Sequence, residues 1–317
     1  MDTEKVFEEK KEKVDERIRE KLSGDTDNFN DGMLYAANDE HRIRSTICLV
    51  VADHYGVEDK ALDYAVSTEL VHNGSLVADD VIDYGKERKG KESVWVAYGL
   101  PFAIDISLGM VTKGFESTIE IEDEKTMELY QGLVKNYYKV LEAEAKDLNF
   151  KQRERVTYEE HKEMVEEIAG LILSSAASGP AILANASEEE VESLKKFGRK
   201  LGALTQIYKG IKSIKEEGGR EIKEGKRSLA IVHTLNEASE EDRKKVLKVL
   251  NLPWEETQEK ELQEVIEIIH KNNSVEYAEE TRRKYHKKAI ESLNGLDKEL
   301  KEKLEEIADH ILEKSLL

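Results

Sequence analysis

The chain has 317 residues, 37% of them charged and only three of them proline, and it carries a formal net charge of −19. That length admits one large domain or two ordinary ones. The excess of acid excludes a nucleic-acid-binding surface, which must neutralise phosphates with Lys and Arg.

Leu, Ala, Glu, Lys, Ile and Val dominate, whereas alternating β-branched runs and regularly spaced Asn-Gly turns are scarce. The expectation is an all-α chain, a single domain over 1–317, with roughly ten to thirteen helices. Residues 3–22 read as a charged amphipathic outer helix, and no signal-peptide pattern precedes it. Segments 40–56 and 59–82 are apolar and should be central. The single cysteine, Cys48, lies in the first of these within Ile47-Cys48-Leu49-Val50-Val51, which predicts an inert packed thiol in a reducing, cytoplasmic setting. Helices are predicted over 100–121, 124–149, 157–179 and 187–216, with Asp123, Thr157 and Ser187 as N-caps. The longest uncharged stretch, 168–187, contains four serines, two glycines and Pro180, so it reads as a buried core helix and its exit, not a transmembrane segment. Gly218-Gly219-Arg220 through Gly225-Lys226-Arg227 forms the one loop-like Gly/basic cluster. Beyond about residue 239 the chain shows Leu and Ile at helical spacing but no visible chemistry. Trp95, Trp254 and the tyrosines at 137 and 138 read as packing.

The chemistry concentrates in Asp79-Asp80-Val81-Ile82-Asp83. On a helix, Asp79 and Asp83 stand at i,i+4 and Asp80 and Asp83 at i,i+3, so three carboxylates share one face. Such a cluster repels itself unless a cation sits within it. Hard oxygen ligands without a thiolate or a paired histidine suit Mg²⁺, which holds substrate phosphates through one or two carboxylates. Arg88-Lys89-Gly90-Lys91 follows closely, giving the alternation of carboxylate and cation that a metal–diphosphate clamp needs. The competing reading is a solvated acidic turn.

With these elements in place, 39–90 resembles the trans-isoprenyl (polyprenyl) diphosphate synthases. His41-Arg42-Ile43-Arg44 stands at that family's first basic element. Glu69-Leu70-Val71-His72, leading into Asp79-Asp80-Val81-Ile82-Asp83, resembles the helix of its first aspartate-rich motif, and Arg88-Lys89-Gly90 the basic pair that follows. Weaker similarity runs to about residue 235. The resemblance implies a helical bundle of the isoprenoid synthase type around a central cavity, with Mg²⁺ as cofactor and isoprenoid diphosphates as substrates. It implies Asp79, Asp80 and Asp83 as metal ligands and Arg88 against the allylic diphosphate. Arg44, Lys89, His72 and, as a poor substitute for a lysine, His41 would bind the second diphosphate. Gln206 and Lys226 stand at further substrate-binding positions. Partners would be a second copy or a related synthase subunit. Small residues at Gly74 and Ser75 would leave a deeper channel for the growing prenyl chain, unless they serve close helix packing. His72 could equally be a core histidine, and Arg42 and Arg44 could be surface ion-pair partners.

The departures are as informative. The second aspartate-rich motif reads Thr205-Gln206-Ile207-Tyr208-Lys209-Gly210-Ile211-Lys212-Ser213, with lysine, glycine and serine at its three aspartate positions. Lysine cannot ligate Mg²⁺, although Lys209 and Lys212 could offer positive charge to a diphosphate. A Lys-Thr pair is replaced by Ile168-Ala169, a Gly-Gln pair by Ala143-Glu144 with Asp147 kept, and a proline by Ser45. The resemblance therefore implies a prenyltransferase-like protein with weakened or partner-dependent turnover. The alternatives are a non-catalytic regulatory subunit of a heteromeric synthase and, from Ser213 and Glu217, a class I terpene cyclase-like enzyme.

Overall fold

Capping chemistry sets where the long helices begin. Thr157 Oγ accepts the Glu160 N–H while the Glu160 carboxylate accepts the Thr157 N–H, a reciprocal capping box. Ser187 and Glu190 repeat it. Asp123 instead accepts the Lys125 N–H at 3.0 Å and shapes a turn, so the helix it was expected to cap starts at Thr126.

The computed structural model describes residues 3–38 and 41–314, so Asp39 and Glu40, where the family resemblance begins, lie outside the described residues. In chain order the elements are α1 (Thr3–Leu22), α2 (Asp27–Ala36), α3 (Ile43–Tyr55), α4 (Glu58–Ile82), β1 (Glu87–Arg88), β2 (Lys91–Glu92), α5 (Val94–Ala97) and α6 (Leu100–Ile119). They continue with α7 (Thr126–Phe150), α8 (Tyr158–Ile168), α9 (Gly170–Leu183), α10 (Glu188–Lys215), α11 (Arg220–Lys223) and α12 (Leu229–Glu237). The last described elements are α13 (Glu240–Leu250), α14 (Glu259–Lys271), α15 (Ser274–Ser292) and α16 (Lys298–Lys314). Among the described residues the protein is all-α as expected, save for the β1–β2 hairpin. The helices outnumber the prediction because α5 and α11 are single turns and because 157–179 is not one helix. Among the described residues no helix is long and apolar enough to cross a membrane.

Contacts group the chain into two compact units. The first comprises the chain up to Tyr137 with Ile172–Gly198 and Leu293–Ile307; the second comprises Tyr138–Leu171, Arg199–Ser292 and the chain from Ala308.

In the first unit α4 packs against α3, α1 and, most extensively, α6. The α4–α6 contact runs through small residues. Ser67 Oγ donates to the Gly114 carbonyl at 2.5 Å and Ser107 Oγ to the Gly74 carbonyl at 2.8 Å. A Cβ on Gly114 would lie 2.7 Å from Val71 Cγ2, and one on Gly74 2.8 Å from Val111 Cγ2 and 2.9 Å from the Ser107 carbonyl. The smallness of Gly74 is therefore consumed by helix packing and opens no channel at that position. Around this seam Leu70, Val71, Ile106 and Met110 are fully buried, each stabilising the fold by about 1.5–3 kcal/mol through removal of apolar surface from water.

In the second unit α12 is the hub, with Leu229, Ala230, Ile231, Val232 and Leu235 buried against α8, α13, α14 and α15. The predicted helix over 157–179 breaks at Ala169. There the backbone of α10 approaches so closely that a Cβ on Gly202 would stand 2.3 Å from the Ala169 carbonyl, and one on Gly170 2.7 Å from the Arg199 carbonyl. Two residues without side chains make that approach possible, and the chain resumes as α9.

Candidate functional site

Helix α4 ends at Ile82, so the aspartate cluster straddles its C-terminus: Asp79 and Asp80 lie in the last turn and Asp83 is the C-cap residue. Carbonyl groups there already give the helix end partial negative charge, which disfavours carboxylates. Asp80 and Asp83 are nonetheless buried. A cation has to offset this, and for Asp80 it is Arg88.

The hairpin delivers that arginine. Lys89 and Gly90 both take positive φ, 52° and 73°, the backbone of a two-residue turn, and pair Arg88 with Lys91 and Glu87 with Glu92. The Trp95 indole donates to the Gly85 carbonyl at 2.7 Å and pins the base of the hairpin. Arg88 thus folds back on the helix end, Nε to Asp80 Oδ2 at 2.7 Å and Nη2 to Asp80 Oδ1 at 2.8 Å, with Asp79 Oδ2 at 3.8 Å. Bidentate geometry of this kind makes a strong, oriented charge-assisted pair.

A cavity of about 100 Å³ opens beside this pair, lined among others by Tyr35, Asn38, Asn73, Asp80, Arg88 and Lys89. Of the residues singled out in the sequence, it brings together Asp80, Arg88 and Lys89, and Asp79 joins them through Arg88. His41, Arg44, His72 and Asp83 do not line it. Asn73 and Tyr35 were missed. Asn73 was legible, because it stands two helical turns before Asp80 and so on the same face.

The first basic element divides. Arg42 is no surface residue: it is buried in the left-handed conformation, φ 46°, donating to Asp15 Oδ1 at 2.8 Å and to the Ala37 carbonyl at 2.6 Å. Ser45, at the family's proline position, gives a backbone N–H at 2.9 Å and a hydroxyl at 3.0 Å to Glu69 Oε1, a carboxylate with no exposed surface. That departure anchors α3 to α4.

The donor set suits a hard divalent cation, since Asp79, Asp80 and Asp83 present oxygen alone. Among the described residues no three His, Cys, Asp or Glu side chains converge to enclose a metal by themselves. Mg²⁺ does not require such a cage, because it keeps waters and shares phosphate oxygens with one or two carboxylates. The residues fit a metal that arrives with a diphosphate.

Gln206 and Lys226 belong to the second unit, Gln206 half-buried on α10 and Lys226 buried with its Nζ 3.8 Å from Glu224 Oε2. Arg227 beside it is buried. Its guanidinium donates to the carbonyls of Gly225 and Lys151 at 2.7 and 2.9 Å, and burial pulls its pKa down to about 10 against the opposing charge of Asp147. Glu217, the residue behind the cyclase reading, stands exposed 3.9 Å from Lys212 Nζ.

Helix α4 thus ends in an aspartate cluster closed by an arginine, in a chain whose other long elements are helices. The sequence profile described as polyprenyl synthetase matches residues 28–269. The chain is 32% identical over 320 aligned positions to the short chain isoprenyl diphosphate synthase of Methanothermobacter thermautotrophicus, covering 96% of each chain. It is 30% identical to the protein of the same description from Methanocaldococcus jannaschii, covering 95% of this chain and 93% of that one. The crystal structure of geranylgeranyl pyrophosphate synthetase from Pyrococcus horikoshii superposes with a TM-score of 0.88 at 28% identity, covering 98% of both chains. The chain belongs to the polyprenyl synthetase family, and its function is that of a prenyltransferase of isoprenoid biosynthesis.

Proposed function

We propose that the protein condenses an allylic diphosphate with isopentenyl diphosphate, with Asp79, Asp80 and Asp83 as the metal-binding carboxylates and Arg88 on the allylic diphosphate. The observation that carries this is the Arg88–Asp80 pair, with both carboxylate oxygens held at 2.7 and 2.8 Å at a helix end that disfavours anions. A guanidinium that grips a carboxylate this way presents the fork that a diphosphate oxygen pair would take. Mg²⁺, when bound, would supply charge stabilisation to the departing diphosphate. The aspartates would hold and orient a metal–diphosphate unit, and Arg88 would donate its guanidinium fork to the substrate diphosphate. His41, Arg44, His72 and Lys89 are proposed to bind the diphosphate of isopentenyl diphosphate, and Gln206 and Lys226 are proposed as further substrate-binding residues.

The protein is also proposed to work as a dimer, with itself or with a related subunit. Leu100, Ile104, Leu108 and Ile119 are exposed along one side of α6, Leu108 at 62%. The first three follow one another at i,i+4 and so form a continuous apolar stripe, which solvent alone does not favour.

A second reading, a non-catalytic subunit that shapes a partner's product, is favoured by Lys209, Gly210 and Ser213 at the family's second aspartate positions. One experiment separates the two. The purified protein is incubated with Mg²⁺, isopentenyl diphosphate and C5 to C20 allylic diphosphates. Elongated products that vanish in the Asp79→Ala, Asp80→Ala variant support the transferase. A folded protein that binds allylic diphosphate yet yields no product from any primer supports the subunit.

A further inference from the structure

Arg42 destabilises the fold in two ways. Its backbone holds φ 46°, a left-handed conformation that strains a residue with a side chain. Its guanidinium is buried, yet among the described residues Nη1 has no hydrogen-bond partner. An unmet buried donor works against folding. Strain of this kind persists only where neighbouring structure holds it, and it gathers at functional positions.

Asp15 of α1 is what holds it. Asp15 Oδ1 accepts from Arg42 Nε at 2.8 Å and lies 2.7 Å from Nη2, while Oδ2 accepts from Lys11 Nζ at 3.0 Å. Nη2 also donates to the carbonyl of Ala37, the C-cap of α2, at 2.6 Å. One guanidinium thus joins α1, the end of α2 and the start of α3. Asp15 stands beside the buried row Val14, Ile18 and Leu22, so the packing of α1 also aims the carboxylate inward. The Arg42 side chain is 3% exposed and that of Asp15 16%, which leaves the pair little screened by solvent.

The consequence falls on the residues either side. With Arg42 turned into the core, His41 and Arg44 remain half-buried. The first turn of α3 is built on the Arg42 carbonyl, which accepts the Thr46 N–H at 2.9 Å and the Ser45 hydroxyl at 3.2 Å. Turning Arg42 about its backbone would therefore displace His41 on one side and Arg44 on the other. The Asp80–Arg88 pair is braced separately, by the hairpin and the Trp95 indole.

We propose that Asp15 is a positioning residue for one of the two substrates. By holding Arg42 buried in its left-handed turn, it fixes His41 and Arg44 where they meet the diphosphate of isopentenyl diphosphate. The identity of that ligand rests on the function proposed above; the placement of the turn by Asp15 does not. Helix α1, outwardly a cover for α3 and α4, becomes part of the apparatus for one diphosphate without touching it.

Two readouts on the full chain test this. Hydrogen exchange at the Ser45 and Thr46 amides, both hydrogen-bonded in this turn, reports the placement with no ligand present. Asp15→Ala is expected to speed that exchange by about tenfold. Arg17→Ala, which breaks a different α1 ion pair, Nε to Asp63 Oδ1 at 2.7 Å, is expected to leave it as in the wild type. In calorimetry with Mg²⁺, Asp15→Ala and Arg42→Ala are each expected to weaken isopentenyl diphosphate binding by about tenfold, and the double variant by no more than either. Affinity for a C10 allylic diphosphate should stay within about twofold of wild type in all three. Unchanged exchange in Asp15→Ala, an equal rise in Arg17→Ala, unchanged isopentenyl diphosphate affinity, or equal losses for both diphosphates each overturns the proposal. If the wild type binds no isopentenyl diphosphate while the exchange result holds, the proposed function fails and takes the named ligand with it, and Asp15 stands as the residue that places the turn.

Discussion

Arg88 grips Asp80 through both carboxylate oxygens while Asp79, one residue earlier, stays 3.8 Å from the same guanidinium. One arginine thus serves two carboxylates in the last turn of α4, where the helix itself offers no positive charge. Asp79→Ala with Asp80→Ala is expected to abolish Mg²⁺-dependent diphosphate binding in calorimetry, and unchanged binding would sink the assignment. Arg88→Ala is expected to raise KM for the allylic diphosphate by about tenfold, a loss of about 1.4 kcal/mol. Its stability cost should fall below the ~3–5 kcal/mol of a fully buried pair, because the Arg88 side chain is 26% exposed.

Ser45 carries a prediction about the seam between α3 and α4. Its N–H and hydroxyl both donate to Glu69 Oε1, and Glu69 Oε2 has no hydrogen-bond partner. Ser45→Ala removes one of two donors to a buried carboxylate and is expected to cost about 1–3 kcal/mol in urea unfolding. Ser45→Pro, the residue the family pattern would place there, removes both and is expected to cost more than alanine. Equal stability of the proline variant and the wild type would mean that Glu69 finds other donors.

Gly74 gives a prediction of opposite character. A methyl group there meets Val111 Cγ2 at 2.8 Å, the Ser107 carbonyl at 2.9 Å and Met110 Cβ at 3.2 Å. The carbonyl is backbone and cannot step aside. Gly74→Ala is expected to destabilise by about 1–3 kcal/mol through overpacking. A variant with wild-type stability would show that α6 can move, and would reopen the channel reading for this residue.

How much of this could be read from residues alone follows from what local chemistry can report. The capping boxes at Thr157 and Ser187 were legible because each is built within four residues. The run of aspartates was legible as a cluster at a helix end, but helix spacing misplaced Asp83, which falls on the C-cap beyond α4. The break at Ala169 was not, since its cause is the approach of Gly202 from α10, about thirty positions away, and no local signal marks it. The hairpin that swings Arg88 onto Asp80 was hidden for another reason. Its turn puts a lysine at positive φ, a position that asparagine or glycine usually announces. Glu221 was passed over entirely, because a glutamate within Arg220-Glu221-Ile222-Lys223 reads as a solvated charge and only the fold buries it.

Buried Glu221 and buried His161 impose opposite pH dependences on stability. Desolvation pushes the Glu221 carboxyl from 4.5 up to about 7, with Lys209 and Lys226 opposing, and pulls the His161 imidazole from 6.5 down to about 4. Between pH 4.5 and 7 the folded state keeps a proton on Glu221 that the unfolded state has released, so stability falls as pH rises, by about 1.4 kcal/mol per unit at most. The stability that Glu221 allows is complete below pH 4.5 and is lost once pH passes 7. Between pH 4 and 6.5 the unfolded state binds a proton at His161 that the folded state refuses, so stability rises with pH. From pH 4.5 to 6.5 the two slopes cancel in large part, and the wild type is expected to show a nearly flat contribution from this pair. Glu221→Gln should unmask the histidine: matching the wild type at pH 4.5, it should exceed it by up to about 3 kcal/mol at pH 8. His161→Phe should unmask the falling limb instead. Urea midpoints from pH 4.5 to 8 measure both, and curves for Glu221→Gln and wild type that run parallel across that range would show that Glu221 does not titrate differently on folding.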